Sequence, residues 1–99
     1  MDKHSLRKVE AAALVLGDRI KTFRKLNRLT VEQVSERAGL SRGTVTRVES
    51  GDLGVSLSSV LLVCRALGIL DMLVDGVDPY DTAIGRAQFG RVLPKRVRN

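Results

Sequence analysis

Along the first quarter of the chain, Leu6, Val9, Ala13, Leu16, Ile20 and Phe23 recur at alternating steps of three and four, the stripe of an amphipathic helix. The stripe crosses Gly17 without slipping phase, so one long helix and two abutting helices both satisfy it. Asp18 has the chemistry of an N-cap, and a mid-helix glycine costs about 1 kcal/mol relative to alanine. A break near residue 17 is therefore expected. TVEQVSERAGL, residues 30 to 40, opens with Thr30 and places Gln33 three positions later, a capping box in which each side chain satisfies an orphan amide. Val31, Val34 and Ala38 point inward, and Gly39 supplies the left-handed residue that stops the helix.

Helix restarts almost at once in SRGTVTRVESG, residues 41 to 51, with Ser41 as its cap. On a helical wheel Val45 and Val48 fall together as inward anchors. Gly43, Thr46, Arg47 and Ser50 fall opposite, with Arg42 and Thr44 on the flanks. A helix of about two turns, a short turn containing glycine and a second short helix is the helix-turn-helix pattern. Ser56 caps a fourth helix whose stripe of Leu57, Val60, Leu61, Cys64 and Leu67 ends at Gly68. Leu62 and Val63 widen that stripe beyond what one neighbour covers, which leaves them to pack on a following helix or to form a seam between two copies. ILDMLVDGV, residues 69 to 77, reads as a fifth helix with Leu70, Leu73 and Val74 apolar, ended by Gly76 and Pro79. From residue 80 aliphatics become sparse, and a tail with a helical turn within 81 to 89 is expected.

At 99 residues with 43% hydrophobic content, the chain has enough for one core. Seventeen basic and eleven acidic residues give a net charge of +6, which favours a polyanionic partner, nucleic acid first. Residues 1 to 29 hold eight basic and three acidic side chains, residues 52 to 85 one basic and five acidic, and residues 86 to 99 five basic and none acidic. Three scattered aromatics, Phe23, Tyr80 and Phe89, argue against a single-strand surface built on stacked rings. The outward face of the Ser41 helix offers small residues, hydroxyls and two arginines, where a face kept only for solubility uses Glu and Lys. Such a face suits a helix that enters a groove and donates hydrogen bonds there.

Cys64 and His4 are each alone in the sequence, so neither a disulfide nor a Cys/His metal site forms within one chain, and a reducing cytoplasm is the expected location. The apolar run AAALVL, residues 11 to 16, is too short for a signal peptide or a membrane span. Ser41, Asp52 and His4 have nothing to assemble them into a triad, and GDLG, residues 51 to 54, lacks the Lys and Ser/Thr of a phosphate loop. No catalytic residue, cofactor or metal is expected.

From about Leu16 to Leu73 the chain resembles the Cro/cI-type (XRE) helix-turn-helix family, most specifically in LTVEQVSERAGLSRGTVTRVESG and in the ALGI ending. The resemblance implies an all-α, five-helix lambda-repressor-like DNA-binding domain over residues 17 to 78. Residues 1 to 16 are then an N-terminal helical extension and 79 to 99 a basic C-terminal tail. It implies that the Ser41 helix lies in the major groove of double-stranded DNA, with the Thr30 helix above it across the backbone. Base-reading positions then fall on Arg42, Gly43, Thr44 and Arg47. Phosphate-contacting positions fall on Thr30, Val31 and Gln33, on Thr46 and Ser50, and just after Gly51. A partner position on the first helix, occupied by Arg24, implies an ion pair with Glu49.

Two departures matter. Arg28 stands where the family commonly has glycine, which bears on the turn and adds a candidate phosphate contact. Gly43 offers no side chain to a base, so readout leans on Arg42, Thr44 and Arg47, and arginine forks suit guanine. A homodimeric repressor is the function implied. IGR and LPKRVR in the tail are also similar to HipB-like antitoxins, which implies a competing class: an interaction module that neutralises a HipA-type kinase toxin.

Overall fold

The computed structural model describes residues 2–89. The chain is all helical through that range: α1 (Lys3–Leu26), α2 (Val31–Ala38), α3 (Arg42–Glu49), α4 (Leu57–Ala66), α5 (Leu70–Asp75), a 3-10 turn (Pro79–Asp81) and α6 (Ala83–Gln88). Among the described residues no helix is long and apolar enough to cross a membrane.

Each of the first four helices begins where a short polar side chain meets a free amide. Asp2 accepts from the Ser5 amide, Thr30 from Gln33, Ser41 from Thr44 and Ser56 from Ser59. Each ends on a residue with positive φ: Arg28 (56°), Gly39 (69°), Gly51 (74°) and Gly68 (75°).

The expected break near residue 17 is absent: α1 runs unbroken for 24 residues, so the extension and the domain share one helix. Gly17 answers to packing rather than to helix termination. A Cβ there would sit 2.7 Å from the Glu49 carbonyl oxygen, 2.7 Å from the Gly51 nitrogen and 2.8 Å from the Val48 carbonyl oxygen. Gly51 returns the contact, since its own Cβ would lie 2.6 Å from the Ala13 carbonyl oxygen. The end of α3 therefore lies backbone to backbone against the middle of α1, an approach open only to two glycines.

The core is small and aliphatic: Ile20 of α1, Val34 of α2, Val45 and Val48 of α3, and Val63, Cys64 and Leu67 of the α4 segment. Burial raises the Cys64 thiol above its ordinary value, so it stays protonated. Two expectations for α4 are corrected. Leu57, placed in the core by the sequence stripe, is 71% exposed, whereas Val63 is fully buried and so unavailable to a seam between copies. Cys64 and Leu67 of that stripe are buried and Val60 packs against them, while Val63, at 0% exposure, takes the inward place beside Cys64 and Leu57 stands out in solvent. Val74 is likewise exposed on α5.

The helical turn expected within 81 to 89 is present as α6. Pro79–Asp81 and α6 form a folded unit in which Thr82 caps α6, Arg86 donates to the Tyr80 carbonyl (2.9 Å), and the Tyr80 and Phe89 rings meet edge to face at 4.7 Å. This helix adds to the five of the expected DNA-binding domain. Of the basic stretch from residue 86 to 99, residues 86 to 88 lie in α6 and residues 90 to 99 lie outside the described residues.

Two glycine substitutions should move stability in opposite directions. Gly17→Ala forces a methyl into backbone and should destabilise by about 1–2 kcal/mol, because overpacking outweighs the gain in helix propensity. Gly43→Ala, whose Cβ would meet only Ser41 Oγ at 3.9 Å, should stabilise by about 0.5–1 kcal/mol. Urea denaturation followed by circular dichroism measures both.

Candidate nucleic-acid interface

The interface is built on two eight-residue helices that the sequence delimits sharply. Gln33 Oε1 accepts from the Thr30 amide (2.9 Å) and Thr30 Oγ1 from the Gln33 amide (3.1 Å), completing the capping box of α2. Gly39 turns the chain, and Ser41 caps α3 through the Thr44 amide at 3.1 Å. Val45 and Val48 are buried, which fixes the rotation of α3 and turns Arg42, Gly43, Thr46, Arg47 and Ser50 outward.

Four base-reading positions were expected, and the structure places them unequally. Arg42 and Gly43 are exposed. Thr44 is only half exposed, and its hydroxyl is 2.9 Å from that of Ser41, so it is partly engaged by the cap. Arg47 is exposed, with its Nε donating to Asp52 Oδ2 at 2.8 Å. That hydrogen bond, followed by one from the Gly54 amide, holds the Asp52 carboxyl below its ordinary value.

Of the phosphate-contacting positions, Thr30 and Gln33 stand exposed at the start of α2, each engaged in the capping box. Val31, Thr46 and Ser50 come together around a shallow cleft of about 210 Å³ whose lining also includes Lys21 of α1. Lys21 was not anticipated; it lies off the apolar stripe, one residue after Ile20, and nothing in the local sequence links it to α3. Arg28 is exposed and adopts the glycine-like conformation at φ 56°. Its amide bonds the Lys25 carbonyl (2.9 Å) and the Leu29 amide bonds that of Arg24 (3.1 Å), so α1 ends in a Schellman turn with arginine in the left-handed place. The turn keeps its shape despite the missing glycine, at a backbone cost of about 1–2 kcal/mol.

Behind the outward face, Arg24 and Glu49 form a two-point ion pair. Nε donates to Oε2 at 2.7 Å and Nη2 to Oε1 at 3.1 Å, with the two side chains only 12% and 6% exposed. A third donor, Arg24 Nη1, reaches the Leu29 carbonyl at 2.9 Å. One guanidinium thus joins the end of α1, the turn into α2 and the end of α3.

A short helix packed across a second, held by its neighbours and presenting arginines, glycine and hydroxyls, defines the helix-turn-helix class. The helix-turn-helix domain family matches this chain over residues 15–75, and the chain belongs to it. Its relatives include the immunity repressor protein of Bacillus phage phi105, 41% identical over 56 residues that cover 57% of this chain and 39% of that protein. Control protein C.SmaI of Serratia marcescens is 32% identical over 53 residues, covering 54% of this chain and 63% of that protein. The chain thus spans less than two thirds of the length of either relative. No solved structure is significantly similar.

Arg24→Ala should cost about 3–5 kcal/mol, because it leaves the Glu49 carboxylate buried and unpaired. Thermal denaturation should also show that Arg24→Met combined with Glu49→Leu recovers most of that loss, since the pair replaced by apolar groups leaves no orphan charge.

Proposed function

We propose that this protein is a transcriptional regulator that binds double-stranded DNA sequence-specifically as a dimer and represses transcription at an operator, its own promoter included. The observation that carries the reading is the outward face of α3, where Arg42 and Arg47 flank Gly43 and Thr46 on a helix fixed from behind by Val45, Val48 and Glu49. A helix without bulk at Gly43 can approach the floor of a major groove closely, and arginine forks pair with guanine there. The relatives named as a repressor and a control protein support a regulatory role.

In this reading residues 17 to 78 are the DNA-binding domain. Arg42, Gly43, Thr44 and Arg47 face base edges. Arg28, Thr30, Val31, Gln33, Thr46 and Ser50 face phosphates, and Lys21 joins them at the cleft. One short helix reads only a few base pairs, so two copies are needed, with half-sites about one helical turn, ~34 Å, apart. The seam we favour is the outer stripe of α1, where Leu6, Val9 and Leu16 are 41%, 44% and 41% exposed, continuing to Leu53 and Leu57. Leu16, Leu53 and Leu57 also line an open groove of about 260 Å³.

A second reading, an antitoxin that holds a HipA-type kinase, draws support from the folded C-terminal unit. That unit is closed by its own Tyr80, Arg86 and Phe89 contacts, and it leaves Ile84 exposed. Gel shift with DNA upstream of the gene separates the two, since an interaction module alone gives no retarded complex.

Arg47→Ala should cost about 1–3 kcal/mol on the preferred duplex and relax the preference at one base pair. Equal losses on preferred and random duplexes would remove Arg47 from the reading set. Arg28→Gly should weaken binding to all sequences alike while raising the melting temperature, because glycine relieves the left-handed strain. For assembly, sedimentation at high micromolar concentration should give a dimer. A monomer that stays monomeric on operator DNA excludes the seam.

A further inference from the structure

Arg47 is not a freely rotating side chain. Its Nε is held 2.8 Å from Asp52 Oδ2, and the other oxygen of that carboxylate accepts from the Gly54 amide at 2.7 Å. The Asp52 backbone is fixed in turn, its amide bonding the Arg47 carbonyl (3.1 Å) and its carbonyl accepting from Val55 (3.2 Å). Gly54 lies beside both groups, because a Cβ there would be 3.0 Å from Asp52 Oδ1 and 3.4 Å from Arg47 Nη2. The turn after α3 thus places its Asp52 carboxylate against the guanidinium of Arg47, in the last turn of α3.

Stability does not account for this arrangement. The Arg47 and Asp52 side chains are 52% and 38% exposed, and ion pairs so open to water contribute little to folding. Its effect falls on the direction of the fork. A guanidinium is planar, with five donors in fixed directions. Committing Nε to a backbone-anchored carboxylate fixes that plane and leaves the end-on edge, Nη1 and Nη2, for a two-acceptor partner such as guanine O6 and N7. Holding the side chain before contact also removes part of the rotamer entropy lost on binding. The carboxylate acts in the same sense from outside the contact, because a fixed negative charge beside the groove opposes loose association with phosphates.

Resting on the DNA-reading function proposed above, we infer that Asp52 is a specificity-determining positioning residue, which aims the terminal amines of Arg47 at guanine and lowers affinity for non-cognate DNA. Asp52 itself touches no base in this scheme.

The full chain is first used to select a preferred duplex from a randomised pool. Affinities are then measured for that duplex, for the same duplex with the G·C pair read by Arg47 changed to A·T, and for an unrelated duplex. Asp52→Asn is the informative variant, because its amide oxygen still accepts from Gly54 while its NH₂ opposes Arg47 Nε. Discrimination between the G·C and A·T duplexes should fall about tenfold, within the range one bidentate contact supplies. Binding to the unrelated duplex should hold or tighten. In an Arg47→Ala background the same substitution should change discrimination by less than about twofold, since the two residues act as a unit. Unchanged discrimination, or equal losses on all three duplexes, overturns the role of Asp52 while the DNA-reading function stands. A pool that yields no preferred duplex overturns that function, and the role of Asp52 with it.

Discussion

The position of α3 depends on the Arg24 to Glu49 ion pair. An eight-residue helix is too short to be stable alone, and α3 puts only two apolar side chains, Val45 and Val48, into the core. Those valines set its rotation but leave it free to tilt. The two parallel hydrogen bonds from Arg24 remove that freedom at the C-terminal end, and the backbone contact of Gly17 with Val48, Glu49 and Gly51 removes it again at the same end. Because Arg24 also holds the Leu29 carbonyl, the start of α2 is fixed in the same frame. The backbone of α3 takes its position from these buried bonds, while the Arg47 side chain on its outward face is held by Asp52.

The elements that local chemistry decides were legible in the sequence. Thr30 with Gln33, then Gly39 and Ser41, fix both ends of the two central helices through bonds spanning three to five residues, and these form as the residue types imply. Gly17 was misread because propensity speaks for a break there while the fold needs a missing Cβ. Only the partner, Gly51, distant in sequence, reveals which effect prevails. Leu57 and Val63 of α4 were misplaced for a related reason: Leu57, Val60, Leu61, Leu62, Val63 and Cys64 are apolar nearly all round, so packing selects the edges of the buried face. At the site, the outward set of α3 followed from the positions of two valines. Asp52 and Lys21 did not follow, since one needs the turn geometry after α3 and the other the crossing of α1 over α3.

At Arg28 the proposed function and folding pull in opposite directions. The turn between α1 and α2 calls for glycine, and the chain carries instead a long cation in a left-handed conformation. The Schellman bonds and the Arg24 contact to Leu29 hold the turn closed in spite of that. In the proposed reading the strain is offset by a positive charge held near the backbone of the duplex, on the side where α2 begins.

The unbroken run of α1 has a mechanical consequence. At about 1.5 Å per residue, its 24 residues make a rod about 36 Å long, anchored to α3 at Gly17 and projecting its first three turns beyond the core. With no hinge between Leu6 and Gly17, the azimuth of the outer apolar stripe and that of the outward face of α3 are phase-locked. Inserting a single residue between them would swing one against the other by about 100°. Any assembly formed through the outer end of α1 therefore transmits its angle, as well as its distance, to α3, the helix proposed to meet the DNA.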